Sequence, residues 1–245
     1  MFMPSDNVLN ITGGTRLTAR PPRYDVLIIG GGYAGAVTAI HLLRRAPGSL
    51  RIGLIEPRAR LGRGVAYDTP LDCHLLNTRA KRMSLRPHDE QQYTRWAQAL
   101  AAAKGLNHID QNSFTPRGWF GTYVEQELSV AVGESGASFT HLQHSAVACE
   151  KVLSGARGER GPWQVELSDD RQVSASAVVL AVGNLPRRSG GLPGLQSSDH
   201  RISHAWDLHQ LELSGGADVL IVGCGLTMAD AVLTLKHKGH YGMIH

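Results

Sequence analysis

The sequence predicts an α/β protein: a parallel-sheet domain carrying an antiparallel β-meander, followed by the start of a second domain of the same kind. Three observations point there. Tyr24–Ile29 is a short, continuously apolar run that breaks at Gly30 and leads directly into a helical pattern. The same layout returns near the end, where Asp218-Val219-Leu220-Ile221-Val222-Gly223 echoes Asp25-Val26-Leu27-Ile28-Ile29-Gly30. Between the two, from 137 to 175, short alternating runs are separated by Gly- and Asp-rich turns. Continuous apolar runs suit strands buried on both faces of a parallel sheet, whereas alternation between turn signals suits antiparallel strands.

Taken in order, residues 1–23 lack periodicity and end in Pro21-Pro22-Arg23, so a mobile tail is expected. Tyr24–Ile29 is the first strand. Tyr33–Arg45 is a helix with Ala, Val, Ile and Leu on one side, stopped by Pro47-Gly48, and Leu50–Ile55 is the second strand. Together they make a βαβ unit of about 30 residues. Pro57–Leu85 reads as one long loop, and such loops inside compact domains are usually functional. Asp89 and Gln92 have the spacing of a capping box for a helix through Ala103, with Gly105 just past its end. Phe120–Val132 is another helix. Ala177–Val182 is a fully apolar strand, and Gly183–Ser198 is a Gly- and Pro-rich connector. The first domain is thus expected at 24–200, with a linker and a first βα of the second at 201–245.

With 245 residues and 42% apolar content, the chain is long enough for a real core. A formal charge of +4 is mild, and no basic run interleaved with aromatics suggests a nucleic-acid groove. No stretch approaches the roughly 20 apolar residues of a membrane span. The cysteines Cys73, Cys149 and Cys224 form no C-x-x-C, which fits a reducing compartment, and the cytoplasm is expected. Histidine pairs such as His141/His144, His204/His209 and His237/His240 lack clustered carboxylates or zinc-ligand spacing, so no metal is expected.

Gly30-Gly31-Gly32-Tyr33-Ala34-Gly35 satisfies G-x-G-x-x-G between a strand and a helix. Gly30 would make the tight turn, Gly32 would let backbone approach a pyrophosphate, and Gly35 would let the helix pack on the sheet. Glu56, at the end of the second strand, can accept hydrogen bonds from both ribose hydroxyls and would repel a 2′-phosphate. The pattern predicts an adenosine diphosphate moiety with a free ribose. FAD and NAD both remain open at this point.

Further motifs resemble a known family. They are Gly62-Arg63-Gly64-Val65-Ala66-Tyr67, Leu75-Leu76-Asn77 with Met83-Ser84, and Phe114-x-Pro116-Arg117-x-x-Phe120-Gly121-x-Tyr123. Val179-Leu180-Ala181-Val182-Gly183 and His204-Ala205-Trp206-Asp207 complete the set. In this order and spacing, residues 24–245 resemble the bacterial FAD/NAD(P)-binding proteins among the two-dinucleotide-binding flavoproteins. These are similar to flavin-dependent N-hydroxylating and Baeyer–Villiger-type monooxygenases.

The resemblance implies FAD at the first turn, held around Gly30, Gly32, Tyr33, Ala34, Gly35, Glu56 and Pro57. It implies that Arg63, Gly64, Val65, Ala66 and Tyr67 pass the pyrophosphate and ribityl chain. Asn77 and Ser84 would lie nearer the isoalloxazine ring, or else make ordinary turn hydrogen bonds. Arg63 is either a phosphate partner or a solvated loop arginine. Val147 would meet adenine through its backbone, or be a buried strand valine. Val182 and Gly183 would close the strand end beside the cofactor. Arg117 would touch cofactor or substrate, or form a surface ion pair. Trp206 and Asp207 look like part of a linker signature, with simple packing the alternative for Trp206.

The resemblance also makes Gly223 and Gly225 the phosphate turn of an inserted NAD(P)-binding domain. Met228 stands in place of the third glycine, with Ala229 next door as a substitute for close packing. The strand that would choose NADP over NAD is expected to be absent, so the chain reads as the front portion of an NAD(P)H-dependent flavoprotein. The expected function is that of an FAD-binding oxidoreductase acting on a small-molecule substrate, with a monooxygenase as one form and the oligomeric state open. The alternatives are a non-catalytic FAD-binding sensor or partner module, and an NAD-dependent dehydrogenase. No side chain stands out as a catalytic acid or base.

Overall fold

The computed structural model describes residues 21–45, 48–106, 108–154, 159–183 and 215–245. Most of the expected tail, the connector beyond Gly183 and the His204–Asp207 motif therefore lie outside the described residues. The first βαβ unit forms as expected, from β1 (Arg23–Ile29), α1 (Tyr33–Arg45) and β2 (Arg51–Ile55). The strands run parallel, with Val26 opposite Ile52 and Ile29 opposite Ile55. Ala36, Ala39, Ile40 and Leu43 recur at three- and four-residue spacing and bury one face of α1.

The Pro57–Leu85 segment is not one loop. It contains a short helix α2 (Gly64–Tyr67) and a 3-10 turn at Ala80–Arg82. Helix α3 (Gln92–Ala103) ends where expected but starts two residues later than a capping box on Asp89 would place it, with Gln91 as its N-cap. Asp89 instead turns its carboxylate to Arg95 at 2.5 Å, and its carbonyl accepts the Ser84 hydroxyl at 2.6 Å. Helix α4 (Arg117–Glu134) begins three residues earlier than the sequence suggests. Pro116 caps it in extended backbone, and the Arg117 N–H finds the carbonyl of His74 at 2.8 Å. Gly118 and Gly121 mask the helical signal there, yet both are needed for space. A Cβ would come within 2.7 Å of the Thr69 carbonyl at Gly118 and 2.6 Å of the Tyr67 carbonyl at Gly121.

The six strands form one sheet in the order β3-β2-β1-β6-β5-β4. Here the expected meander is corrected at its start. β3 (Ser138–Leu142) pairs in parallel with β2, and only β4 (Ala146–Ser154), β5 (Glu159–Leu167) and β6 (Gln172–Leu180) make the antiparallel part. The apolar strand expected at Ala177–Val182 is not separate either. It continues the last meander strand, so β6 pairs antiparallel with β5 at Gln172–Ala175 and parallel with β1 from Ser174 to Leu180.

One core lies between the sheet and α1, α3 and α4, with Ile28, Ile52 and Leu54 packed among Phe120, Tyr123 and Val124. Each such side chain contributes roughly 1.5–3 kcal/mol when fully buried. A second core joins Leu27, Ile29 and Ile55 to Val165, Leu167 and Val173. The antiparallel strands therefore supply the apolar cover for the other side of β1 and β2.

The part expected to open a second unit, of which residues 215–245 are described, holds α5 (Leu226–His237). The run at Asp218–Gly223 forms a single parallel bridge, Val219 to Ile244, rather than a full strand. Val219 donates to Met243 and Ile221 to His245, both at 2.9 Å. Residues 243–245 thus lie parallel beside this run.

Candidate functional site

The glycine turn after β1 is tight at Gly30 and Gly35, where backbone atoms occupy the space a side chain would need. Gly30 has φ +104°, and a Cβ on it would lie 2.3 Å from the Ala181 carbonyl oxygen. At Gly35 a Cβ would fall 1.8 Å from the Gly30 carbonyl oxygen, so helix and turn close only on hydrogen. Gly32 differs. Its φ is ordinary, and an added Cβ would reach only van der Waals distance, 3.4 Å from the Gly64 Cα.

The loop at 62–67 docks on this turn. The Gly62 N–H donates to Gly31 at 2.8 Å, and positive φ at Gly62 (+88°) and Gly64 (+56°) brings bare backbone against Gly32. From the other side, the Ala181 N–H donates to Ile29 at 2.8 Å, which sets Val182 and Gly183 beside Gly30. Residues 30–35, 62–67 and 181–183, far apart in sequence, are brought together here. Val65, Val182 and Gly183 are exposed, as are Tyr33 and Ala34. The N–H groups of the first turn of α1 have no partner within the helix, and the helix dipole favours negative charge there.

Glu56 sits at the rim of this cradle, 5% exposed. Its Oε2 accepts the Gly31 N–H at 2.9 Å, and Oε1 accepts the Arg58 Nε at 2.7 Å and the Arg58 N–H at 3.2 Å. Burial alone would raise its pKa; the Arg58 side chain, the Gly31 N–H and the Arg58 N–H outweigh that and hold it below the ordinary value. The carboxylate is therefore charged and acts only as an acceptor. Arg58 was not legible as part of this site, although its place two residues after Glu56 was the available signal. His141 was also missed: its Nε2 lies 2.8 Å from the Glu56 carbonyl oxygen and pins the strand end.

The remaining expected residues divide. Tyr67 stacks edge-on against Phe120, with ring centroids 4.9 Å apart, and Tyr33 lies 5.7 Å from Tyr67. Burial raises the pKa of both tyrosines, so their hydroxyls stay protonated. Arg63 is neither a solvated arginine nor turned to the glycine cradle. It is buried, and its guanidinium donates to the Thr122 hydroxyl at 2.7 Å and to Glu125 at 3.2 Å, both on α4. The Ser84 hydroxyl serves the turn before α3, donating to the Asp89 carbonyl and accepting the Arg86 N–H at 3.1 Å. Asn77 and Pro57 are exposed. Val147 is no buried valine: it is 60% exposed at a register shift in β4.

The chain belongs to the FAD-NAD(P)-binding family. The model of that family matches residues 27–185, well over half of the chain. No curated protein matches the sequence. Among solved structures, an ornithine N-hydroxylase of Kutzneria sp. 744, determined with reduced FAD, NADP+ and L-ornithine, superposes with a TM-score of 0.63 at 18% identity. It covers 91% of this chain, which spans 52% of that structure. A cyclohexanone monooxygenase variant of Rhodococcus sp. Phi1 bound to NADP+ gives a TM-score of 0.56 at 17% identity, covering 91% of this chain and 38% of its own. OTEMO in complex with FAD and NADP gives 0.52 at 16% identity, covering 89% of this chain and 37% of its own. The chain therefore spans about half or less of these structures, and the likeness is one of fold.

The family's flavin dinucleotide fits the residues present. Gly32 is the one fingerprint glycine that nothing in the chain's own packing requires, and its missing Cβ leaves backbone N–H groups approachable from outside. Glu56 presents a charged acceptor within the same turn. Its lone pairs are occupied by Gly31 and Arg58, whose side chain is 44% exposed.

The second glycine turn is more open. Gly223 has φ +120°, Gly225 caps α5, and a Cβ on either would meet nothing within 4 Å. Met228, in the third glycine's place, lines a cavity with Ile221, Val232 and Tyr241. Ala229, the expected substitute for close packing, is exposed and does not take that part. Among the described residues, no helix is long and apolar enough to cross a membrane.

Proposed function

We propose that this chain is the flavin-holding portion of an FAD-dependent oxidoreductase that draws reducing equivalents from NAD(P)H, of the monooxygenase type. The observation that carries it is the Gly32–Gly64 cradle with ionised Glu56 at its rim. When bound, FAD would supply the redox chemistry, accepting hydride equivalents at its ring system. The protein's own residues do the rest. Gly30, Gly32, Tyr33, Ala34 and Gly35 present the turn and the helix N-terminus to the pyrophosphate, with Gly64, Val65, Ala66 and Tyr67 on the opposite wall. Glu56 takes the ribose hydroxyls once Arg58 swings away, and Val182 and Gly183 close the strand side. The adenine edge is assigned to the Val147 backbone, since Leu142 bonds Glu56 and β4 begins only four residues later.

Gly223 and Gly225 are assigned to the nicotinamide dinucleotide. The substrate is a small molecule, as the N-hydroxylase and ketone-oxidising neighbours suggest by fold. Cys73, Cys149 and Cys224 are all free, which supports the reducing cytoplasm as the compartment. The test is direct. Purified protein should be yellow, and mass analysis of the released cofactor should give FAD at about one per chain. Colourless protein that fails to take up added FAD would refute the reading.

A further inference from the structure

We propose that His74, Arg117, Asp230 and Thr234 form a latch between the two units that sets the second glycine turn relative to the flavin-holding unit. The proposal rests on the assignment of Gly223 and Gly225 to the nicotinamide dinucleotide.

The latch is built from the first unit outward. Segments 74–76 and 115–117 are tied by hydrogen bonds from Leu76 to Thr115 and from Arg117 to His74, each 2.8 Å, so His74 and Arg117 project side by side. Both meet α5. The Arg117 Nη2 lies 2.8 Å from the Asp230 carboxylate, in a pair only 14% and 21% exposed. His74, itself 8% exposed, places Nε2 at 2.9 Å from the Thr234 hydroxyl and 3.2 Å from the Asp230 carbonyl.

The chemistry fixes the tautomer. A carbonyl only accepts, so Nε2 carries the proton towards Asp230. The Thr234 hydroxyl donates to that same carbonyl at 2.8 Å, which leaves its lone pair for the His74 Nε2–H. Nδ1 then accepts from the Thr69 hydroxyl at 2.7 Å. Every polar atom at the His74 end has a partner with the imidazole neutral.

The consequence is positional. Asp230 and Thr234 lie one turn apart in the second and third turns of α5, and Gly225 is its N-cap. A helix is stiff over two turns, so clamping Asp230 and Thr234 also clamps the turn at Gly223–Gly225. On the other side, Arg117 opens α4, which carries Thr122 and Glu125, the partners of Arg63 at the start of α2. The latch thus joins the glycine turn of one unit to the wall of the other through two rigid helices. These four are positioning residues; none is assigned a contact with cofactor or substrate.

The test uses the FAD-loaded full chain. Hydrogen–deuterium exchange at α5, the FAD dissociation constant and the NADP+ dissociation constant are measured for Arg117→Ala, Asp230→Ala, Thr234→Val, and the double swap Arg117→Asp with Asp230→Arg. The single variants should exchange faster across 226–237 and bind NADP+ more weakly by roughly three- to thirtyfold, the range of residues that couple two sites. FAD affinity should stay within about twofold, and the double swap should restore much of both signals. Equal weakening of FAD and NADP+ would show general damage and overturn the latch, as would unchanged exchange in α5. If the parent chain binds no NADP+, the assignment of the second turn fails, and the exchange data alone still decide whether the latch exists.

Discussion

Gly32 and Gly35 separate two reasons for which a nucleotide turn keeps its glycines. At Gly35 the chain itself forbids a side chain, because a Cβ would sit 1.8 Å from the Gly30 carbonyl oxygen. At Gly32 the chain has room, with the nearest atom at 3.4 Å. Gly35→Ala should therefore destabilise the FAD-free protein by about 1–3 kcal/mol, as overpacking does. Gly32→Ala should stay within about 0.5 kcal/mol of the parent in urea unfolding while losing flavin affinity. Equal losses of stability would remove the distinction. Glu56 gives the second prediction. Losing a charge-assisted hydrogen bond costs about 1.5–3 kcal/mol, so Glu56→Ala should weaken FAD binding roughly ten- to a hundredfold. Glu56→Gln keeps an acceptor for the Gly31 N–H and should lose less; titration of flavin fluorescence checks both. The glycine turn and the place of Glu56 at the end of β2 were legible because both are local signals at strand ends. Arg63 and Ser84 were not, because a polar side chain in a loop gives no direction, and only the fold shows that α4 and the α3 turn claim them.

At the scale of elements, the first βαβ unit was legible to within a residue, since its apolar runs and Pro47-Gly48 stop are local signals. The meander was not, for a physical reason. β3 lies at a sheet edge with Ser138 exposed and Phe139, His141 and Leu142 half-buried, so it alternates like an antiparallel strand although it pairs in parallel. The start of α4 was hidden by Gly118 and Gly121, whose value lies in contact with the 67–69 backbone rather than in helix propensity. That contact implies a third prediction. Arg63 ties α2 to α4, so Arg63→Ala leaves the partners Thr122 and Glu125 exposed to rearrangement and frees the wall of the cradle. Hydrogen bonds to charged groups are worth about 1.5–3 kcal/mol, and the variant should unfold earlier in urea by about that amount. It should also exchange amide hydrogens faster at 62–67 than at α1; uniform exchange across both would argue against the tie.

For the molecule as a whole, the relation of the two units depends on the charge state of His74. The groups facing it are Asp230 and His237 from α5 and Arg117 from α4, with the Thr69 hydroxyl from its own loop. Burial is the largest influence and lowers its pKa; Asp230 opposes this through its charge and its carbonyl, while Arg117 and His237 add to the lowering. The folded pKa therefore lies below the ordinary value of 6.5. Protons then bind more readily where the latch is open or the chain unfolded, so unfolding takes up a proton in the window between the two values. The His74 contribution is complete above pH 6.5 and declines as pH falls from there towards the lowered folded pKa. The thermal midpoint of the parent protein should accordingly fall more steeply than that of His74→Gln between about pH 7 and pH 5, the interval in which imidazole titrates. The two curves should run parallel above about pH 7.5, where both side chains are neutral. Parallel curves over the whole range would mean that His74 stays equally protonatable in both states, and that the neutral ring is not what the second unit leans on.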